Sequence, residues 1–236
     1  MKHNYEAKVG YSEIGQNGSM TIGAMIDRMQ DSSNLHSQEI GDGFEDLGSR
    51  GRAWLVNSWQ IVFCKPLKMG DLMRVSSWAY GYDKMFGYRN YMIQDDNGEI
   101  CVKASARWIL FDVEKQRILR IKPEDIEMYG IEEKIDMEYT SRKVSIPKHA
   151  ETVDEIKIRG YQIDTNNHVN NSWYAKIACD YFTGDREIKQ LCIEYKKAAV
   201  KDDIVKVGIA KNGDVETVIL TDIQDKIYCI VEAHMS

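Results

Sequence analysis

The stretch "YQIDTNNHVNNSWY", residues 161–174, gathers one carboxylate, one imidazole and four side-chain amides around Val169: Asp164, Asn166, Asn167, His168, Asn170 and Asn171. Two readings are open. Asn and Asp favour turns and helix N-caps, so the run reads as a polar loop entering a helix. The same groups also make an acid–base site. If residues 163–168 are extended, Asp164, Asn166 and His168 project to one side, each about 6.6 Å from the next along the chain. A helix would also bring Asp164 and His168 together. Asn170 and Asn171 sit where they can cap the following helix, whose free backbone N–H groups are donors for a carbonyl oxygen. His168 has no duty in the purely structural reading, which favours the acid–base one.

Composition narrows the classes. A chain of 236 residues suits one large domain or two of about a hundred residues each. No apolar run reaches the roughly 18 residues of a membrane-spanning helix, and "MKHNYEAKVG" lacks the apolar stretch of a signal peptide. Membrane insertion is therefore not expected. Cys64, Cys101, Cys179, Cys192 and Cys229 form no CxxC pair; most sit in apolar surroundings and read as reduced core thiols of a cytoplasmic protein. Cys and His do not cluster along the chain as a zinc site would need, and the chain is read as working without a metal or organic cofactor. A net charge of −6 argues against nucleic-acid binding.

Working outward from the opening stretch, the chain repeats itself. "KVGYSEIGQNGSMTIGAMIDRM" near the start parallels "KIRGYQIDTNNHVNNSWYAKIA", placing Tyr11 on Tyr161. "IVFCKPLKMGDLMRV" parallels "IEYKKAAVKDDIVKV", with Phe63 on Tyr195, Lys65 on Lys197 and Asp71 on Asp203. "GEICVKASARW" parallels "DKIYCIVEAHM". Each unit reads as a strand, a helix and several strands. Ile22, Met25, Ile26 and Met29 recur at helical spacing in the first unit, and Trp173, Ile177 and Tyr181 in the second. Alternating runs such as "LMRVSSWAYGY" and "VETVILTDI" read as strands, with Asp96-Asn97-Gly98 and Asn212-Gly213-Asp214 as turns. One helix against a mainly antiparallel sheet is an α+β architecture. Between the copies, residues 121–150 are charge-rich, carry two of three prolines and keep no period, as suits a linker lying over a surface.

The tandem strand–helix–strands unit with "HVNN" at the second helix start resembles the hot-dog fold of acyl-thioester enzymes. "HVNN" also occurs in single-unit acyl-CoA thioesterases. Its combination with duplication, "IEYKK" and "SARWILFDVEKQRILRI" resembles the acyl-ACP thioesterase family, and the resemblance covers nearly the whole chain. It implies two hot-dog units, 1–130 and 151–236, joined by a linker at 131–150. It implies hydrolysis of fatty acyl-ACP to a free fatty acid, with acyl carrier protein and the acyl chain as partners. An acyl-CoA thioesterase, or a non-catalytic acyl-binding protein, remains the alternative, and a homodimer is left open. By resemblance, the family's Asp-x-Asn-x-His motif falls on Asp164, Asn166 and His168. The Glu and Cys that end "EYRREC" in plant members are Ala198 and Ala199 here, leaving Glu194 as a candidate substitute. On an extended strand, Glu194 could equally face solvent.

The corresponding loop of the first unit, "EIGQNGSM", puts Ile14, Gln16 and Gly18 against Asp164, Asn166 and His168, with no acid–base set. One active site per chain follows, and the first unit is expected to supply the acyl pocket. Met25, Met29 and Trp54 are the expected pocket wall. His3, His36 and His149 read as surface or loop residues and His234 as structural. Arg142, Lys143, Lys148, Lys157, Arg159, Lys196, Lys197 and Lys201 are the basic residues available to dock an acidic carrier.

Overall fold

A computed structural model describes residues 1–140, 143–182 and 186–236. The chain forms two compact units, Met1–Asn57 with Ile61–Glu138, and Ser58–Gln60 with Tyr139–Ser236. Arg142 lies outside the described residues.

The first unit contains β1 (His3–Lys8), α1 (Ile22–Glu39), α2 (Phe44–Ser49), β2 (Arg52–Phe63), β3 (Leu72–Tyr82), β4 (Gly87–Asp95), β5 (Ile100–Asp112) and the short β6 (Arg117–Ile118). Its strand order is β1-β3-β4-β5-β2, with β6 on β5. The second contains β7 (Glu151–Lys157), α3 (Asn171–Cys179), β8 (Ile188–Tyr195), β9 (Ile204–Asn212), β10 (Val215–Thr221) and β11 (Ile227–Met235). Its order is β8-β11-β10-β9-β7, antiparallel throughout. Read from β2 and from β8, the two orders are the same. Each unit is thus a helix packed on an antiparallel sheet, α1 on β3 and β1, α3 on β11 and β10.

The repeat extends to single hydrogen bonds. Lys65 Nζ donates to Asp95 Oδ2 in the first unit, and Lys197 Nζ to Asp222 Oδ2 in the second. Asp95 Oδ1 accepts the N–H groups of Asn97 and Glu99 around one hairpin turn; Asp222 Oδ1 accepts those of Gln224 and Lys226 around the other. A left-handed residue follows in each, Gly98 at φ 80° and Asp225 at φ 64°. The short side chain of Asp tolerates that conformation where most residues would not.

The helices differ more than their sequences suggest. Met25, Ile26 and Met29 are buried on α1, each contributing about 1.5–3 kcal/mol by leaving water. The next turns of the same face bury Ser32, Ser33 and His36 instead. His36 is 0% exposed and His3, on β1, is also buried, so both are interior residues rather than the surface residues expected from sequence. Arg89 on β4 explains this: its Nη2 donates to His36 Nδ1 at 2.5 Å and its Nε to Ser77 Oγ at 2.7 Å. Tyr129 lies under the Arg89 guanidinium and donates its hydroxyl to the buried Asp42 at 2.7 Å. Burial and the neighbouring Arg89 charge push the His36 imidazole down to about 4.

In the second unit α3 ends at Cys179, before Tyr181 and Phe182. Its buried face is Tyr174, Ala175, Ile177 and Ala178, one position round from the expected stripe. Trp173 instead meets the exposed Tyr161 ring edge-on at 5.3 Å.

Residues 121–129 do not lie over the surface as their composition suggests. They form two 3-10 turns, Pro123–Asp125 and Glu127–Tyr129. Ile121 and Ile126 join Leu47 and Leu110 in a hydrophobic cluster against which Trp54 and Leu119 pack. Charged residues flank these apolar anchors closely enough to hide their periodicity. Further along, Glu133 O accepts from Trp78 Nε1 and Ile135 N–H donates to Asn90 Oδ1, which fastens this segment to the first unit.

Candidate active site

Asp164, Asn166 and His168 lie on a tight turn, not on an extended strand. Ile163 and Val169 pair antiparallel, Asp164 N–H donates to His168 O at 2.8 Å, and Asn167 N–H closes on Asp164 O at 3.1 Å. Asn167 takes φ 60° at the bend. The carboxylate of Asp164 helps set this geometry: Oδ1 accepts from Asn166 N–H at 2.8 Å and from His168 N–H at 3.4 Å. A side chain that bridges its own backbone two residues on is the ordinary way Asp builds a turn. The extended expectation fails because this local bond competes with a strand.

Asp164 therefore serves the structural reading with one oxygen and leaves the other available. Oδ2 makes no hydrogen bond among the described residues, nor do the Asn166 carboxamide or the His168 imidazole. Asn166 and His168 are exposed and Asp164 is half-buried. Three polar groups of different chemistry thus share one short loop with their reactive atoms unengaged.

The loop leads directly into α3. Asn170 is the N-cap, its Oδ1 accepting from Ser172 N–H at 3.0 Å, and Asn170 O accepts from Trp173 N–H. Among the described residues Asn171 N–H, at the start of the first turn, makes no hydrogen bond. Asn171 O is held by the Tyr195 hydroxyl at 3.0 Å. Burial raises the Tyr195 hydroxyl well above its ordinary range, so it stays a donor.

Ala199 sits beneath this arrangement. It is 0% exposed, its carbonyl accepts from Val169 N–H at 2.9 Å, and its N–H donates to the Tyr174 hydroxyl at 2.8 Å. Glu194 is buried rather than solvent-facing; Val144 N–H and the Lys196 ammonium engage its two oxygens.

The first-unit loop superposes on this one bond for bond, one residue out of the register read from sequence. Ile14 pairs with Met20, Gly15 N–H donates to Ser19 O, and Gly18 N–H to Gly15 O, with Gly18 at φ 73°. Thr21 N–H donates to Glu13 O as Asn170 N–H does to Gln162 O. Each loop is entered by a 3-10 turn whose third side chain caps it: Glu13 accepts from Gly10 N–H, and Gln162 from Arg159 N–H, both at 2.7 Å. Asp164, Asn166 and His168 therefore correspond to Gly15, Asn17 and Ser19, not to Ile14, Gln16 and Gly18. The first copy still holds no carboxylate and no imidazole.

Of the expected pocket wall, Met25 and Met29 are buried on α1, whereas Trp54 packs in the cluster of Leu47, Leu110, Ile121 and Ile126 and donates its Nε1–H to Asp42. Of the expected docking residues, Lys157, Lys196 and Lys197 are held by Asp202, Glu194 and Asp222. Arg159 and Lys201 are exposed at one end of the second unit, where Asp202 N–H donates to Ile158 O. Among the described residues no helix is long and apolar enough to cross a membrane.

Comparison with known proteins matches residues 1–129 to the acyl-ACP thioesterase N-terminal domain and residues 145–232 to the acyl-ACP thioesterase C-terminal domain. The chloroplastic palmitoyl-acyl carrier protein thioesterase of Arabidopsis thaliana is 26% identical over 241 residues, covering 90% of this chain and 58% of that protein. The chloroplastic oleoyl-acyl carrier protein thioesterase 1 of the same plant is 21% identical over 214 residues, covering 82% and 59%. The chain thus spans under two thirds of the length of these relatives. In fold it is similar to an acyl-ACP thioesterase structure from Bacteroides thetaiotaomicron, with TM-score 0.91, 17% identity and coverage of 100% and 98%. A 12:0-ACP thioesterase from Umbellularia californica gives TM-score 0.85 at 18% identity, with coverage of 100% and 97%. The tandem hot-dog architecture follows from these matches.

Proposed function

The chain belongs to the acyl-ACP thioesterase family, and on that premise we propose that it hydrolyses fatty acyl-ACP to a free fatty acid and holo-ACP in the cytoplasm. The observation that carries the reading is the loop at 164–168, where the Asp164 Oδ2, the Asn166 carboxamide and the His168 imidazole are unengaged beside a helix start. Thioester hydrolysis needs an activated oxygen, a proton route and a donor for the developing oxyanion. Asp164 Oδ2 either attacks the thioester carbon or takes a proton from water, and the resemblance leans toward direct attack. His168 manages the proton delivered to the leaving sulfur. Asn171 N–H receives the oxyanion, and Asn166 orients the carbonyl.

In this reading the second unit carries the chemistry and the first takes the acyl chain, with Met25 and Met29 as its wall and Trp54 as a more distant candidate. Enlarging Met25 or Met29 to Trp shifts preference to shorter chains, because each methylene in an apolar site is worth about 1–3 kcal/mol of discrimination. An unchanged chain-length profile in an active variant assigns both residues to the core.

Acyl-CoA is the second substrate to test, favoured by the carboxylates that already occupy Lys157, Lys196 and Lys197. Purified protein is expected to hydrolyse acyl-ACP with higher kcat/KM than acyl-CoA and to leave enoyl-CoA unhydrated. Charge reversal at Arg159 and Lys201 together raises KM for acyl-ACP and spares acyl-CoA. Equal losses on both substrates would remove the docking role, and hydrolysis of neither would favour an acyl-binding protein. A second copy of the chain as partner is tested by sedimentation of the same sample.

A further inference from the structure

On the second unit's sheet, β8 and β11 place Cys192 directly opposite Glu232, with His234 two residues further on. Directly opposed residues, and residues two apart on a strand, share a face. The Cys192 thiol, a Glu232 carboxylate oxygen and a His234 ring nitrogen all lie within 4.8 Å of one another. His234 Nε2 and Glu232 Oε1 are 2.9 Å apart. Among the described residues this is the one such set of three potential ligands.

A hydrogen-bonded His–Glu pair beside a core thiol would account for two of these residues. It does not account for what surrounds the sulfur. Gln190 Nε2 donates toward Cys192 Sγ at 3.6 Å, and the Thr140 hydroxyl lies 3.8 Å away on the same atom. Gln190 is itself positioned, its Oε1 accepting from Gln60 Nε2 at 2.9 Å, while Gln60 Oε1 accepts from Thr140 N–H at 3.0 Å. Gln60 is one of the three β2 residues that belong to this unit. The Gln190 amide, donating to the sulfur, favours its thiolate, the form that binds metals, and the Thr140 hydroxyl is free to turn and do the same. Cys192 is buried, whereas the His234 side chain is 38% exposed and leaves a way in.

We propose that Cys192, Glu232 and His234 form a site for a zinc-like divalent transition metal. Sulfur, imidazole and carboxylate are a zinc donor set, and bond lengths of about 2.0–2.3 Å put tetrahedral ligands about 3.3–3.8 Å apart, within reach of these side chains. Binding displaces the thiol proton, breaks the His234–Glu232 hydrogen bond and leaves the fourth position to water. Metal binding therefore releases protons and weakens as pH falls. The site is independent of the loop at 164–168 and of the thioesterase reading.

Metal-stripped full-length protein is titrated with Zn²⁺ by calorimetry and with Co²⁺ by absorption. One Zn²⁺ per chain and a thiolate-to-cobalt charge-transfer band are expected. Cys192→Ser abolishes the band, and His234→Gln weakens Zn²⁺ binding at least tenfold. Gln190→Ala, which touches no metal, weakens it by about 10–100-fold. Far-UV circular dichroism confirms that each variant is folded; if Cys192→Ser is not, the half-exposed His234→Gln carries the test. Absence of saturable binding, or binding that survives both Cys192→Ser and His234→Gln, overturns the proposal.

Discussion

The loops at 15–19 and 164–168 have the same backbone and opposite contents. Both are closed by an antiparallel bridge, both place a left-handed residue at the bend, and both are entered through a capped 3-10 turn. One carries Gly15, Asn17 and Ser19; the other carries Asp164, Asn166 and His168. The scaffold needs only a residue able to sit at positive φ, which Gly18 and Asn167 supply, and a short side chain to fold onto the turn. In the first loop that side chain is Asn17, whose Oδ1 accepts from Ser19 N–H at 3.0 Å. Everything else in the second loop is surplus to the fold, and surplus polar groups are where chemistry is found.

The largest expected effect breaks this comparison if it is absent. Asp164→Ala and His168→Ala should each lower kcat by about 10²–10⁴-fold while the protein stays folded, as removal of a general acid or base does. Ser19→Ala and Asn17→Ala, at the corresponding positions of the other copy, should leave kcat essentially unchanged, because neither touches a reacting group in the proposed site. Full activity in both Asp164→Ala and His168→Ala would remove the site assignment. In single-turnover hydrolysis in heavy-oxygen water, label found in Asp164 establishes direct attack, because water attack at the anhydride's enzyme carbonyl is the one route that puts it there.

A second difference lies in the interiors. Counting back from the matched turn residues Asp95 and Asp222, Arg89 corresponds to Glu216. Both are buried. Glu216 is paired with Arg186 at 3.0 Å, whereas Arg89 leans on a neutral imidazole, a hydroxyl and an aromatic face. The first unit should therefore be the acid-sensitive one. His36 binds its proton at about 4 when folded, against about 6.5 when unfolded. The unfolded state takes up more protons between those values, so the contribution is complete above about pH 6.5 and is lost as pH falls toward 4. At about 1.4 kcal/mol per unit, the loss is on the order of 3 kcal/mol. Urea midpoints at pH 7, 5 and 4 check it, and hydrogen exchange at pH 4.5 should expose α1 and β4 before β10 and β11. Uniform loss of protection would break the distinction.

The smallest effect compares the helix caps. Thr21 Oγ1 accepts from Ala24 N–H, and Asn170 Oδ1 from Ser172 N–H. Thr21→Ala and Asn170→Ala should each cost about 0.5–2 kcal/mol by denaturant titration. Only Asn170→Ala should also lower kcat, since its helix start adjoins the reactive loop. Equal kcat in the two variants would detach the cap from the site.

Much of this was legible in the chain. The alternating runs gave β2 to β5 and β8 to β11, and the polar stretch at 164–171 gave the loop and cap, because short-range periodicity and turn chemistry are local. The one-residue slip between the loops came from matching Tyr11 with Tyr161. Those rings are 79% and 72% exposed, so neither is buried in a core that would fix its register. The capping bonds of Glu13 and Gln162, between chemically different side chains, fix the true register. His36 was misread because its partner, Arg89, is distant in sequence. Cys192 and His234 were passed over for the same reason: only strand pairing brings them together.

Asp164 uses one carboxylate oxygen to hold its own loop, and in the proposed reaction it is the other that meets substrate. Scaffold and reactant are therefore separable within a single side chain. An Asp164→Asn chain keeps an oxygen to accept from Asn166 N–H but has no anion to attack or deprotonate. If the proposed function holds, such a protein would be a well-shaped decoy, able to bind an acylated carrier and unable to let it go by chemistry, and so a bait for isolating the carrier and its acyl group intact.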